Sequence, residues 1–241
     1  MKNILKYILN IILPPRCPYC GKIVVLDHTL CESCFNKLHF ITAPYCRICG
    51  NPIENEEDAK TGLICAHCSS HKRTIRMVRS ALVYDDFSKK TILDFKFYGK
   101  VQNACLLAKW MYAAGSDIFK AQADIIIPVP LSYRRLLRRG YNQSAILAQQ
   151  LSKQTGIKAD VTSFKKVKHT KPQSSLSENA RLKNVHNAFK VVKNNNIKDK
   201  HVILIDDVMT TGATLNECAK VLLKAGALSV DALTVARVIK E

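Results

Sequence analysis

The run Val202–Thr214, Val-Ile-Leu-Ile-Asp-Asp-Val-Met-Thr-Thr-Gly-Ala-Thr, constrains this chain more than any other stretch. Val202 to Ile205 form an apolar run short enough to be a buried strand. Asp206 and Asp207 end it with two carboxylates, and Thr210, Thr211, Gly212, Ala213 and Thr214 follow as a small, hydroxyl-rich loop. Helical spacing then sets in at Leu215, Cys218, Ala219, Leu222 and Ala225, with Gly226 as the stop. A loop that opens a helix presents backbone N–H groups at the positive end of the helix dipole, which suits a phosphate. The threonine hydroxyls add donors. Acids placed beside such a loop suit sugar hydroxyls or a hydrated Mg2+, whereas inside it they would repel the phosphate. Strand, acid pair, small loop and helix together predict a sugar-phosphate site. The competing reading is a plain strand–helix turn with solvated acids, in which Thr214 and Glu217 form only a capping box.

Cysteine spacing defines a separate region. Cys17/Cys20, Cys31/Cys34, Cys46/Cys49 and Cys65/Cys68 are four C-x-x-C pairs within residues 17–68. One such turn points two thiolates at one ion, and two turns complete a tetrahedral site, so the pattern predicts about two structural Zn2+ ions. Gly21 and Gly50 each follow a pair, where a tight knuckle often needs positive φ. Sequential pairing groups Cys17, Cys20, Cys31 and Cys34 apart from Cys46, Cys49, Cys65 and Cys68, and short loops favour it. A cross-braced arrangement remains open at this stage. Disulfides are the alternative chemistry, and no secretory signal supports them. His28, His39 and His67 read as bystanders, and the lone Cys105 and Cys218 as small core residues. With little hydrophobic periodicity, this region would depend on metal to fold.

Thirty-seven Lys and Arg against 19 Asp and Glu give a net charge of +18, and 47% hydrophobic residues rule out a disordered chain. The charge favours a polyanionic partner without choosing among nucleic acid, an anionic membrane face and phosphorylated substrates. Residues 1–16 read as a short amphipathic helix ended by Pro14-Pro15, with Lys2, Lys6 and Asn10 as its polar stripe. Spanning a bilayer takes about 20 residues, so residues 1–13 are too short and peripheral membrane contact is the lesser alternative to packing on protein. The expected location is cytoplasmic.

From residue 77 onward apolar runs alternate with helical patterns. Strands are predicted at 78–84, 123–129, 202–205 and 229–238, and helices at 89–97, 101–114 and 141–155. That alternation predicts an α/β fold with a mainly parallel sheet and flanking helices, preceded by the small zinc-binding domain with its four-cysteine sites. In such sheets ligands lie beyond the carboxyl ends of the strands. A second loop, Pro128-Val129-Pro130 through Arg134, Arg135, Arg138 and Arg139 to Gly140-Tyr141-Asn142-Gln143, would share that edge with Asp206 and suits a highly charged anion. Lys96, in Asp94–Lys100, adds a cation to the same pocket. Residues 163–187 read as a long active-site cover or a solvated linker, with His169, Thr170, Gln173, Arg181 and Asn184 as its polar candidates.

The 202–214 run closely resembles the phosphoribosyl pyrophosphate (PRPP) motif of type I phosphoribosyltransferases. That resemblance implies that Asp206 and Asp207 hold the ribose hydroxyls and act as the catalytic pair. It also implies that Thr210–Thr214 cradle the 5′-phosphate and that the arginine loop takes the pyrophosphate with Mg2+. The cysteine pairs, the Pro-Val-Pro…Arg-Arg-Gly-Tyr-Asn-Gln loop and the acid-pair motif together resemble the ComF (GntX-like) family over nearly the whole chain, with Tyr141 where Phe is usual. The implied domains are a double zinc ribbon at 17–72 and a phosphoribosyltransferase fold at 73–241. The implied role is accessory to DNA uptake in natural transformation. Its implied partners are PRPP, single-stranded DNA, a DNA-uptake helicase and other competence proteins. Three hypotheses follow: a phosphoribosyltransferase of unspecified acceptor, a nucleic-acid-binding protein with a regulatory or vestigial PRPP site, and a scaffold.

Overall fold

The computed structural model describes residues 13–53, 63–70, 74–97, 99–168, 170 and 178–239. Nearly all of the predicted N-terminal helix, most of the 51–60 loop, and His169 and Gln173 therefore lie outside the described residues. In chain order the elements are α1 (Glu32–Phe35), α2 (Ala66–Ser70), β1 (Val78–Val83), α3 (Asp86–Phe97), α4 (Asn103–Ala114), α5 (Ser116–Lys120) and β2 (Ile125–Pro128). They continue with α6 (Tyr133–Arg139), α7 (Gln143–Thr155), β3 (Phe164–Lys166), α8 (Glu178–Val185), β4 (Phe189–Val191), β5 (His201–Met209), α9 (Ala213–Lys224) and β6 (Ser229–Arg237). No helix among the described residues is long and apolar enough to cross a membrane.

The central sheet runs β1-β6-β5-β2 and every pairing in it is parallel. Both faces are covered, which is why its strands read as continuous apolar runs rather than alternating ones. Val202 and Leu204 turn to a core shared with Leu215, Ala219 and Leu222 of α9. Ile203 and Ile205 turn to the opposite core, shared with Phe95 of α3, Leu107 of α4 and Leu147 of α7. β3 and β4 form a separate antiparallel hairpin, with Phe164 and Phe189 stacked at 5.7 Å, that packs into the α9-side core.

Three sequence expectations need correction. β5 does not stop at Ile205. It runs through both acids, because Thr234, Ala236 and Arg237 of β6 offer pairing partners to Asp206, Val208 and Met209. The arginine loop is largely the helix α6, ended by Gly140 at φ 79°. Residues 163–187 are not structureless, since they hold β3 and α8.

Each zinc-ribbon knuckle is closed by backbone bonds. Gly21 N donates to Cys17 O at 2.9 Å and Gly50 N to Cys46 O at 2.8 Å, with both glycines at positive φ as expected. At Gly50 an added Cβ would also lie 2.5 Å from the carbonyl oxygen of Val78. The ribbons are sewn to the sheet rather than tethered to it. Ile41 N donates to Ala81 O at 3.0 Å and Val83 N to His39 O at 2.9 Å, so residues 39–41 extend the sheet beyond β1. Leu38 enters the core shared with α3, α4 and α7, and Phe40 and Trp110 meet edge to face at 5.5 Å. An uncovered edge strand is a template for aggregation, and here the cysteine-rich region covers it.

The thiols of Cys17, Cys20, Cys31 and Cys34 lie within 4.8 Å of one another, and so do those of Cys46, Cys49, Cys65 and Cys68. All are free of disulfides, and the grouping is the sequential one. Four sulfur donors converging on a point fit tetrahedral Zn2+, and the two sites fit a double zinc ribbon. Metal analysis should return two zinc equivalents per chain and about one for Cys46→Ser. Because the ribbons cover β1, a strong chelator should lower the melting temperature of the whole chain. An unchanged whole-chain transition on metal removal would refute that coupling.

Candidate functional site

The parallel strands end on one side of the sheet, and the predicted ligand groups gather there. Asp207 is buried and receives Lys96 Nζ at 2.8 Å from the last turn of α3. Asp206 accepts from Ser144 Oγ at 3.1 Å and from the backbone N–H of Asp207 at 2.9 Å. Burial, reinforced by the charge of Asp207, pushes the Asp206 carboxyl up to about 7, while Lys96 and the two hydrogen bonds pull against the shift. Two adjacent carboxylates share one nearby ammonium. This is not the environment of solvated turn residues.

Beyond the acids the chain turns through Thr210 and Thr211 to Gly212. Gly212 sits at φ 77° and caps α9 without any side-chain hydrogen bond. Thr211 Oγ1 accepts from Ala213 N at 3.4 Å. The capping-box reading fails: Glu217 instead accepts from Asn187 N at 2.9 Å. The left-handed glycine lets the backbone fold back so that the first turn of α9 opens beside the acid pair, the geometry a phosphate uses.

The arginine segment divides by direction. Arg139 is half-buried, donates to Gln143 Oε1 at 3.0 Å, and lies 4.7 Å from the centre of the Phe97 ring. Burial lowers its pKa, and the facing Asp207 opposes that shift. Arg138, also predicted for the site, is exposed on the outer side of α6. Arg135 turns inward and donates to Thr170 O at 3.1 Å. The rest of the Gly-Tyr-Asn-Gln motif proves to be scaffolding. Tyr141 Oη donates to Phe95 O at 2.5 Å, Asn142 Nδ2 to Val129 O at 3.1 Å, and Gln143 Nε2 to Lys96 O at 3.1 Å. Asn142 also caps α7 by accepting from Ser144 N. The motif therefore holds α3, and with it Lys96, against the start of α7. The Tyr141 hydroxyl gives this chain a bond that Phe could not make. Lys100 is drawn away to Asp94 at 2.7 Å.

Sequence reasoning passed over Ser144 and Lys166. Ser144 follows the Gly-Tyr-Asn-Gln motif, one residue past the first position of α7, but nothing local shows that it reaches a carboxylate 62 residues away. Lys166 faces Arg135 and Asp206 from β3, and burial is the main cause of its pKa of about 8.

The acid pair has a consequence for stability. Asp206 titrates higher in the folded protein than in the unfolded chain, so its ionisation disfavours folding. The loss begins above the ordinary carboxylate value of 3.8 and is complete above about 7. Asp206→Asn should therefore raise the melting temperature by a few degrees at pH 7.5, have little effect at pH 4, and flatten the stability profile between. A fall in melting temperature at pH 7.5 would contradict this.

Family comparison agrees with these two regions. The phosphoribosyl transferase domain family matches residues 108–240, and the double zinc ribbon domain family matches residues 8–69. The chain is 33% identical to competence protein F of Haemophilus influenzae, over 92% of this chain and 96% of that protein. It is 31% identical to competence protein ComFC of Bacillus subtilis, over 88% and 85%. It is 29% identical to the DNA utilization protein YhgH of Salmonella typhimurium, over 91% and 95%. With both domain families matched in order and relatives aligned along almost its entire length, the chain belongs to the ComF family, a phosphoribosyltransferase fold carrying an N-terminal double zinc ribbon.

Proposed function

We propose that the carboxyl edge of the sheet binds PRPP with Mg2+ and supports transfer of its phosphoribosyl group. The observation that carries this reading is the acid pair, held near the carboxyl end of β5 where ionisation of Asp206 is disfavoured, a short turn before a glycine-capped helix. Asp206 and Asp207 accept the ribose 2′- and 3′-hydroxyls, and Thr210–Thr214 receive the 5′-phosphate. Arg139 and Lys96 stand on the pyrophosphate side, with Arg138 at its exposed margin. In transfer the C1′–O bond breaks, its electron pair leaves with pyrophosphate, and a lone pair on the acceptor forms the new bond at C1′. Positive charge gathers at the ribose as negative charge gathers on the leaving group. Cations fixed beside pyrophosphate stabilise that separation, and Mg2+ supplies further neutralisation when bound.

The protein's role in the cell is inferred as accessory to DNA uptake, in the cytoplasm. This rests on the relatives named for competence and DNA utilization and on a net charge of +18. A second reading, in which the PRPP site regulates binding of single-stranded DNA, is favoured by the same charge. Such binding would be mainly electrostatic. Affinity for an oligonucleotide should fall steeply between about 50 and 200 mM salt, by roughly a thousandfold if about six phosphates are neutralised, and vary little with base sequence. A flat salt response would exclude it.

Millimolar PRPP–Mg2+ should raise the melting temperature of the wild type by mass action. Losing charge-assisted hydrogen bonds removes roughly 1.5–3 kcal/mol, or about 10- to 150-fold in affinity. Asp206→Asn/Asp207→Asn should accordingly lose most of the ligand-induced shift while staying folded. A wild type with no shift would leave the nucleic-acid or scaffold reading in place. A double variant that shifts as much as wild type would place the site elsewhere.

A further inference from the structure

The solvent side of α9 carries a trough that the PRPP reading leaves without a task. Two adjoining cavities of about 450 and 320 Å³ lie along it and share His186, Glu217 and Lys220. Leu215, Cys218, Ala219 and Leu222 form the stripe of α9 that faces the core. Ala213, Glu217, Lys220 and Lys224, at i, i+4, i+7 and i+11, form the stripe that lines the trough. The end of α8 and the turn after it supply the opposite wall through Lys183, Val185 and His186. From Ala213 to Lys224 the helix rises by about 16 Å, the length of about five residues of extended chain.

The lining divides by chemistry. Val185 and Ala213 form an apolar floor at one end, and the half-buried Val221 and Leu223 continue it at the other. Lys183, Lys220 and Lys224 stand exposed around that floor, and among the described residues none of the three forms an ion pair. The one carboxylate among the described lining residues is Glu217, which is buried, accepts from Asn187 N at 2.9 Å and lies 3.8 Å from His186 Nδ1. No Phe, Tyr or Trp is among them. An apolar floor under a rim of unpaired ammonium groups is complementary to a polypeptide that places Asp or Glu beside small apolar side chains. A single strand of nucleic acid fits less well, because its bases need aromatic faces to stack on and its phosphates would meet the Glu217 carboxylate. A second copy of the chain is opposed by the net charge of +18 on each.

We propose that the trough between α8 and α9 is a docking site for an acidic, extended segment of a partner protein. Lys183, Lys220 and Lys224 meet the carboxylates of that segment at the rim, and Val185, Ala213, Val221 and Leu223 take its apolar side chains. The trough begins at Ala213, the first residue of α9, and runs along the helix away from the acid pair. A partner seated there leaves Asp206 and Asp207 open, so the inference stands whether or not the acid pair binds PRPP.

The test begins with selection of displayed random peptides on the full chain. Fluorescence anisotropy of an enriched peptide then compares wild type, Lys220→Glu, Lys224→Glu and Lys153→Glu. Lys153 is exposed on α7, across the sheet from α9, so its replacement makes the same change of charge elsewhere. Enriched peptides should combine Asp or Glu with Val, Ala or Leu. Lys220→Glu and Lys224→Glu should each weaken binding by about 10-fold or more, because an attraction becomes a like-charge contact. Lys153→Glu should leave binding within about twofold, since the exposed charge lies beyond the screening distance. All three lysines are exposed, so the variants should keep the melting temperature of wild type. Enrichment of no peptide, or of peptides without acids, overturns the docking site. Equal weakening by Lys153→Glu also overturns it, as the mark of diffuse attraction to a basic surface. A single-stranded oligonucleotide that displaces the peptide and loses its own binding in Lys220→Glu overturns it in favour of a phosphodiester track. Self-association of wild type that Lys220→Glu abolishes overturns it in favour of a second copy.

Discussion

Two neighbouring carboxylates near the carboxyl end of one strand repel each other, and the site is arranged around that repulsion. Lys96 answers Asp207 at 2.8 Å, and Ser144 with one backbone N–H answers Asp206. The compensation is incomplete, since Asp206 is still held at about 7. A fold selected only for stability would replace one acid with a neutral side chain. Unfavourable groups that persist in this way mark places where ligand binding outweighs stability. The neighbouring chain segments follow from the same constraint. The Gly-Tyr-Asn-Gln motif clamps α3 so that Lys96 arrives, and Gly212 turns the backbone so that a helix end opens beside the acids.

The zinc ribbons solve a different problem. A parallel sheet whose first strand lies at its edge leaves a row of backbone groups exposed, and β1 is that strand. Residues 39–41 bond to it, Arg79 reaches back to the carbonyl of Arg47 at 3.0 Å, and the Arg237 guanidinium donates to the carbonyl of Cys49. Tyr19, inside the first C-x-x-C, stacks on Phe87 at 3.7 Å. The metal sites thus shape an element that continues the sheet and touches α3, the helix that delivers Lys96.

What the sequence revealed follows a physical division. Local features were legible: the buried run at 202–205, the sequential cysteine groups, the positive φ at Gly21 and Gly50, and the two-sided α/β layout. Features that depend on a distant partner were not. β5 continues to Met209 only because β6 lies alongside it, and the acids are no barrier once their backbones are paired. α6 reads as a loop because four arginines dominate it and Tyr133, Leu136 and Leu137, its only apolar residues, are too few to mark a helix and are not buried. Arg138 and Arg139 are adjacent and look equivalent, yet only Arg139 turns inward, and Arg135, one helical turn earlier, joins it. Lys166 lies in a lysine-rich stretch, and its partial burial on the β3–β4 hairpin sets it apart from the exposed Lys165 and Lys168.

The measurement that bears most directly on this account is the titration of the Asp206 carboxyl, followed by carbon-13 NMR and assigned with Asp206→Asn, without ligand and with ribose 5-phosphate. Burial and Asp207 place the ligand-free midpoint near 7. Ribose hydroxyls donating to the carboxylate favour its charged form and should move the midpoint down toward the ordinary carboxylate range. A ligand-free midpoint already near 3.8, or one that ribose 5-phosphate leaves in place, would contradict the claim that the acid pair is a strained sugar-binding site.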